Sequence, residues 1–177
     1  MNHPAPDQGV LLLNLGTPDS PSVPDVRRYL AEFLSDPRVI DIHPVARWLL
    51  LHAIILRVRP KHSAAAYAEV WTEQGSPLLV HGEALAAAVQ ARLGDRARVR
   101  LAMRYGNPSI AEALDAFAVQ GIDRIAVLPL FPQYSAATTG SAIEACGDAA
   151  LTRWNVPVLQ FIGEHPDDPG YVAALAE

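Results

Sequence analysis

Two hydrophobic rhythms alternate along this chain, and the changes between them fall at recognisable punctuation. Gly9 to Leu15 (GVLLLNL) is a continuous apolar run ending at Gly16-Thr17-Pro18, which predicts a buried strand feeding a tight turn. Ser22-Val23-Pro24-Asp25 supplies an N-cap, a first-turn proline and an acid three residues after the cap. Val23, Val26, Leu30 and Phe33 follow at helical spacing, so this helix buries one face. Ser35-Asp36-Pro37-Arg38 ends it, and Val39 to Ile42 reads as a short extended piece. Pro44 to Arg57 looks helical, Pro60 interrupts, and Ser63 to Glu73 looks helical again. Ser76-Pro77 opens a further helix that closes at Gly94.

The second half of the chain keeps the same alternation. Arg98 to Met103 (RVRLAM) alternates as a strand does, and Asn107-Pro108 reads as the cap of a helix with Ile110, Leu114 and Phe117 on one face, closing at Gly121. Ile122 to Leu128 predicts a third strand, Thr139 to Arg153 a helix, and Val156 to Ile162 a fourth strand. Asp167 to Glu177 begins a last helix with no stop signal. Strands and helices in this order predict an α/β fold, a doubly wound parallel sheet with helices on both faces. We expect residues 1–8 to be disordered and residues 9–165 to form the α/β domain. Residues 166–177 then start a further helix, and a truncated chain fits this uncapped ending at least as well as a native C-terminus. Residues 35 to 95 form an unusually large crossover between the first and second strands.

Composition narrows the class. Half of the 177 residues are hydrophobic and 19% are charged, the balance of a compact soluble protein. The formal net charge of −5 argues against a nucleic-acid partner, which needs a basic face to displace counterions. The single cysteine, Cys146, can form neither an internal disulfide nor a metal cage alone, which suits a reducing, cytoplasmic location. The N-terminus, MNHPAPDQG, has no basic region and no long apolar core of a signal peptide. The longest apolar run, Trp48 to Leu56, has nine residues against the roughly 20 that span a bilayer. It reads as a buried helix or as an apolar lip facing a membrane or an apolar ligand.

In an open parallel sheet, ligands sit beyond the carboxyl ends of the strands. The segments there are LGTP (15–18), RYGNP (104–108) and LPLFPQYSAATTGS (128–141). The third is far richer than a plain strand-to-helix connection needs. Phe131 and Tyr134 read either as core or as a surface for a flat aromatic ligand, with Gln133, Ser135, Thr138 and Thr139 as hydrogen-bonding groups. Nothing matches GxxxxGK or GxGxxG, so a phosphate cradle is missing, and no GxSxG elbow marks a hydrolase. The six histidines show no HxxH or HExxH spacing and read as surface or capping residues, so no metal ligand is assigned.

GVLLLNLGTPDSP, FLSDPRVID, YAEVWTEQGSPL, AMRYGNPS and LPLFPQYSAATTGS, in this order, resemble the bacterial ferrochelatases of the proteobacterial kind, from Gly9 to the last residue. The resemblance implies a Rossmann-like, chelatase-like domain, the first of two similar domains that enclose a porphyrin cleft. It implies insertion of ferrous iron into protoporphyrin IX to give protohaem, the last step of haem biosynthesis, with iron and porphyrin as substrates and no resident cofactor. Leu15 falls at the floor of the cleft. Arg59, Tyr67 and Ser76 fall where the family contacts the porphyrin and its propionates, and Arg104, Tyr105, Phe131 and Tyr134 match positions lining the cleft. Chemistry agrees for Arg59, whose guanidinium pairs bidentately with a carboxylate; the neighbouring Arg57 is an alternative partner. Ser76 is also a good N-cap, and Tyr67 is equally consistent with core. The 48–56 run matches the lips of the cleft, which implies peripheral membrane contact or a ligand-facing role. Where some relatives hold an iron–sulfur cluster through a cysteine, this chain has Ala136, so no cluster ligand is expected.

The family's catalytic histidine lies in an SxHGxP motif, and a glutamate follows further on. That motif does not occur in these 177 residues. Metal insertion requires a base for two pyrrole protons, so this chain alone is expected to be inactive and to need the missing C-terminal domain. Two other readings compete. Small cobalt or nickel chelatases carry a histidine directly after their first strand, where this chain has Asn14-Leu15-Gly16. A non-enzymatic porphyrin-binding half-domain would keep the contacts without the base. A half-domain also exposes apolar surface, so the isolated chain is expected to self-associate.

Overall fold

The computed structural model describes residues 8–176. The expected disorder of residues 1–8 lies outside the described residues except at Gln8, which opens the first strand. Four strands form one parallel sheet in the order β2-β1-β3-β4: β1 (Gln8–Thr17), β2 (Arg98–Gly106), β3 (Arg124–Pro129) and β4 (Val158–Phe161). The chain leaves β1 toward β2 and then returns past it to β3. The direction of winding therefore switches beside β1, where doubly wound sheets place their ligands.

Alternation along the strands sorts the core onto two faces. Leu11, Leu13, Ala102 and Val127 pack with Leu114 and Phe117 of α5 (Ile110–Val119) and with Ala142 and Cys146 of α6 (Ser141–Leu151). Leu12, Leu101 and Met103 point the other way, against Leu79, Ala86 and Val89 of α4 (Pro77–Leu93). Gly82 lets α4 come close, since a Cβ there would lie 2.8 Å from Leu101 Cδ2. A third cluster caps the carboxyl end of β2. In it Tyr105 meets Val26, Tyr29, Leu30 and Leu34 of α1 (Val23–Ser35), with Leu51 and Ala64 beyond.

Several local expectations are corrected. Residues 39–42 are turns rather than an extended piece, because the Val39 and Ile40 amides both bond back to the Asp36 carbonyl. Pro60 does not interrupt the chain. α2 (Pro44–Leu49) runs through a π-helical stretch (Leu50–Ile55) into α3 (Leu56–Val70), which contains Pro60 and ends before Glu73. Proline at 60 deprives the Leu56 carbonyl of its helical donor, and Arg27 Nε of α1 donates to that oxygen instead, at 3.1 Å. The cap of α5 is Ser109, which forms a reciprocal capping box with Glu112, so Asn107-Pro108 lies just before the helix. A π-helical turn at Ala136–Gly140 precedes α6, and Asp168 caps α7 (Pro169–Leu175). The buried-helix reading of residues 48–56 also fails, since Leu51 is 2% exposed but Trp48 is 60% exposed, with Leu49 and Ile54 nearly as open.

Candidate functional site

The carboxyl ends of β1 and β2 are welded together by a glycine. Gly16 sits at φ 124°, and a Cβ there would lie 1.9 Å from the Tyr105 carbonyl oxygen. Only glycine tolerates that conformation and that approach. Leu15 and Thr17, on either side of Gly16 in sequence, meet different neighbours. Leu15 packs half-buried with the α1 and α3 residues around Tyr29, while Thr17 is buried and its Oγ1 donates to Ser76 Oγ at 2.8 Å. Ser76 opens α4, but its hydroxyl makes no capping bond to that helix and is spent on Thr17. A cavity of about 500 Å³ opens beside this pair, lined among others by Trp71, Gln74, Leu79 and Asn107.

Aromatic rings continue from Leu15. Tyr67 of α3 is half-buried, edge-on to Tyr29 at 6.2 Å and to Trp71 at 6.4 Å. Burial raises the Tyr67 hydroxyl above the usual tyrosine range, so it stays a neutral donor. Arg59 lies two turns earlier on the same helix and is exposed, as is Arg57. Val45, Trp48, Leu49, Ile54 and Val58 extend this region as an exposed apolar stretch.

Arg104 and Tyr105 are placed differently from these surface groups. Tyr105 is 0% exposed, and its hydroxyl donates to Asp36 Oδ2 at 2.7 Å and lies 3.1 Å from Ser141 Oγ. Arg104 Nη2 donates to the same carboxylate oxygen at 2.8 Å, and its Nε to Ser141 Oγ at 2.6 Å. Ser141 Oγ donates to that oxygen as well, at 2.5 Å. Burial alone would push the Asp36 carboxyl up, but the Ser141 and Tyr105 hydroxyls, the Arg38 amide and the Arg104 charge outweigh it, and its pKa falls below the usual range. Burial pushes Tyr105 up to about 12. Sequence reasoning missed Asp36 and Ser141 as members of this cluster. The one available signal was an acid beside Pro37 at a helix end, which reads as a breaker.

The 131–140 segment divides its two aromatic rings. Phe131 is half-buried against the α5–α6 core cluster, whereas Tyr134 is exposed with Gln133 and Ser135. The structure thus gathers Leu15, Tyr67 and Tyr105 into one cluster around Tyr29, sets Ser76 across the Gly16 weld, and keeps Phe131 in a separate cluster. Among the histidines, His43 caps α2 by accepting from the Val45 amide at 3.3 Å, and His52 stacks on Trp48. Among the described residues no group of three or more His, Cys, Asp or Glu side chains is placed to hold a metal ion.

A doubly wound parallel sheet with helices packed on it is a domain of the Rossmann-like kind, a fold that takes ligands beyond the carboxyl ends of its strands. The ferrochelatase family model matches residues 7–177, and the chain belongs to the ferrochelatase family. It is 55% identical over 170 residues to a ferrochelatase of Methylibium petroleiphilum, covering 94% of this chain and 47% of that relative. A Teredinibacter turnerae ferrochelatase is 50% identical over 177 residues, with 97% and 48% covered. Ferrochelatase 2 of Shewanella oneidensis is 53% identical over 171 residues, with 94% and 52% covered. The chain spans about half the length of the curated relatives it matches.

Proposed function

We propose that this chain is the porphyrin-binding half of a ferrochelatase, which inserts ferrous iron into protoporphyrin IX to form protohaem, the last step of haem biosynthesis. One observation carries the reading: half-buried Leu15 and Tyr67 pack on the same cluster around Tyr29, with Trp71 edge-on to Tyr67, beyond the carboxyl end of β1 where a flat apolar macrocycle would be accepted. Arg59 supplies a permanent positive charge on the same helix for a propionate, and Ser76, its hydroxyl paired with Thr17, lies at the edge of the adjoining cavity. Tyr134 offers an exposed ring from the 131–140 loop, Phe131 backs that loop from the core, and Arg104 and Tyr105 brace the site from beneath.

Insertion needs a base for the two pyrrole protons. The SxHGxP motif is missing from these residues, so the base belongs to the second half of the enzyme, the natural partner of this chain. The exposed apolar stretch from Val45 to Val58, followed by the cations Arg59 and Lys61, suits peripheral contact with a membrane from the cytoplasmic side. No described helix is long and apolar enough to cross a membrane.

The test is an anaerobic assay of the purified chain with protoporphyrin and ferrous iron, followed by porphyrin fluorescence and the Soret band. Saturable quenching without insertion above the uncatalysed rate is expected. Rapid insertion by this chain alone would overturn the assigned division of labour, and the lack of any saturable binding would overturn the porphyrin reading.

A further inference from the structure

The 131–140 loop exposes Gln133, Tyr134, Ser135 and Ala136 while Phe131 and Thr139 turn inward, and it is fastened at both ends by residues remote in sequence. On the β4 side, the His165 amide donates to the Pro132 carbonyl at 2.9 Å and the Tyr134 amide donates to Glu164 Oε2 at 3.4 Å. On the α6 side, the fastening is the cluster around Asp36. Its Oδ2 accepts from Ser141 at the first turn of α6 and from Arg104 and Tyr105 at the end of β2. Oδ1 accepts from the Arg38 amide, and the Arg38 side chain reaches Glu144 of α6 at 2.6 Å. Between these fastenings Gln133, Tyr134, Ser135 and Ala136 remain exposed.

Asp36 is only 5% exposed, and a buried carboxylate persists only where donors compensate its lost hydration. Here those donors come from the end of β2 and the first turn of α6, so the carboxylate ties both to the end of α1. The carboxylate joins three elements at one atom. We propose that Asp36 is a positioning residue: it fixes the first turn of α6, and with it the exposed face of the 131–140 loop, against the carboxyl end of β2. The consequence for ligand binding rests on reading that face as part of the porphyrin site; the placement itself does not. Arg104, through Nε and Nη2, and Tyr105, through its hydroxyl, then act from behind the surface, these atoms already engaged by Asp36 and Ser141.

The test compares two peptide bonds under limited chymotrypsin digestion of the full chain. Tyr134–Ser135 lies in the positioned loop, and Trp154–Asn155 lies in an exposed segment beyond the other end of α6. In Asp36→Asn, cleavage at Tyr134 should rise about tenfold while cleavage at Trp154 stays unchanged, the scale set by the loss of one charged hydrogen bond. Protoporphyrin affinity, read from the Soret band, should weaken by a similar factor. Equal acceleration at both bonds would show a global loss of stability and overturn the proposal, as would no change at either. Should Asp36→Asn fail to fold, Ser141→Ala removes a single hydroxyl and should give the same contrast at smaller size; no contrast there also overturns the proposal. If the unmodified chain binds no porphyrin yet the cleavage contrast appears, the positioning role stands and the porphyrin reading falls.

Discussion

The hydroxyl of Tyr105 and the carboxylate of Asp36 meet at 2.7 Å across 69 residues of sequence, joining the end of β2 to the end of α1. The pair lies out of solvent, and its geometry makes stability depend on pH. The Asp36 carboxyl titrates below its ordinary value in the folded chain. Its stabilisation is therefore complete above the unfolded carboxylate range near pH 4 and is lost as pH falls through the lower folded value. Thermal unfolding of the native chain should show this acid loss, and Asp36→Asn should lack that part of it.

The Thr17–Ser76 hydrogen bond is a second buried polar tie, and both of its residues are nearly inaccessible. Ser76→Ala should destabilise the chain by about 1–3 kcal/mol in urea unfolding, through the unpaired Thr17 hydroxyl. A Ser76→Ala/Thr17→Val double-mutant cycle should return most of that as coupling, since Ser76 caps nothing on its own helix.

Gly16 tests the weld between the strand ends. Gly16→Ala combines a positive φ with a Cβ 1.9 Å from a backbone oxygen, and a backbone neighbour cannot swing aside as a side chain can. We expect a loss of at least about 3 kcal/mol, or failure to fold, measured by urea denaturation. By contrast, nothing lies within 4 Å of a Cβ built at Gly147, and Gly147→Ala in α6 should raise stability by up to about 1 kcal/mol.

Cys146 is wholly buried on the inner face of α6, and burial pushes its thiol up to about 12. It should react with a disulfide reagent in the folded chain only at the rate of unfolding, and promptly once urea is added.

Exposed Val119, Leu151, Trp154, Val156 and Val158 gather about the ends of α5 and α6 and the start of β4, and Trp154 is 99% exposed. With the apolar stretch of α2 and α3, this surface should make the isolated chain self-associate. Sedimentation should show species larger than a monomer together with binding of a hydrophobic dye. A clean monomer that binds no dye would contradict it.

The strands and most helices were legible because their signals are local. Ser22 and Gly94 bound their helices where capping chemistry says they should, and the GVLLLNL run needs no partner to announce a buried strand. Pro60 misled for the opposite reason. The rule that proline breaks helices is local, and the relief it finds here comes from Arg27 on another helix. Of the candidate site, the motif-bearing loops were legible as strand-end loops. The roles of Arg104 and Tyr105 depend on Asp36 and Ser141, which are 36 to 69 residues away, and no spacing rule along the chain connects them. Ser76 shows the same limit, since its sequence setting predicts a cap and only the fold supplies Thr17.

The central claim is tested most directly by titrating the purified chain with protoporphyrin IX and following fluorescence, with variants on and off the proposed wall. Saturable binding that weakens about tenfold or more in Arg59→Ala and Tyr67→Ala, and is unaffected by Trp154→Ala at the far end of the sheet, is the predicted result. Binding that is lost only with Trp154→Ala, or that shows no saturation at all, would contradict the assignment of the porphyrin site to this half.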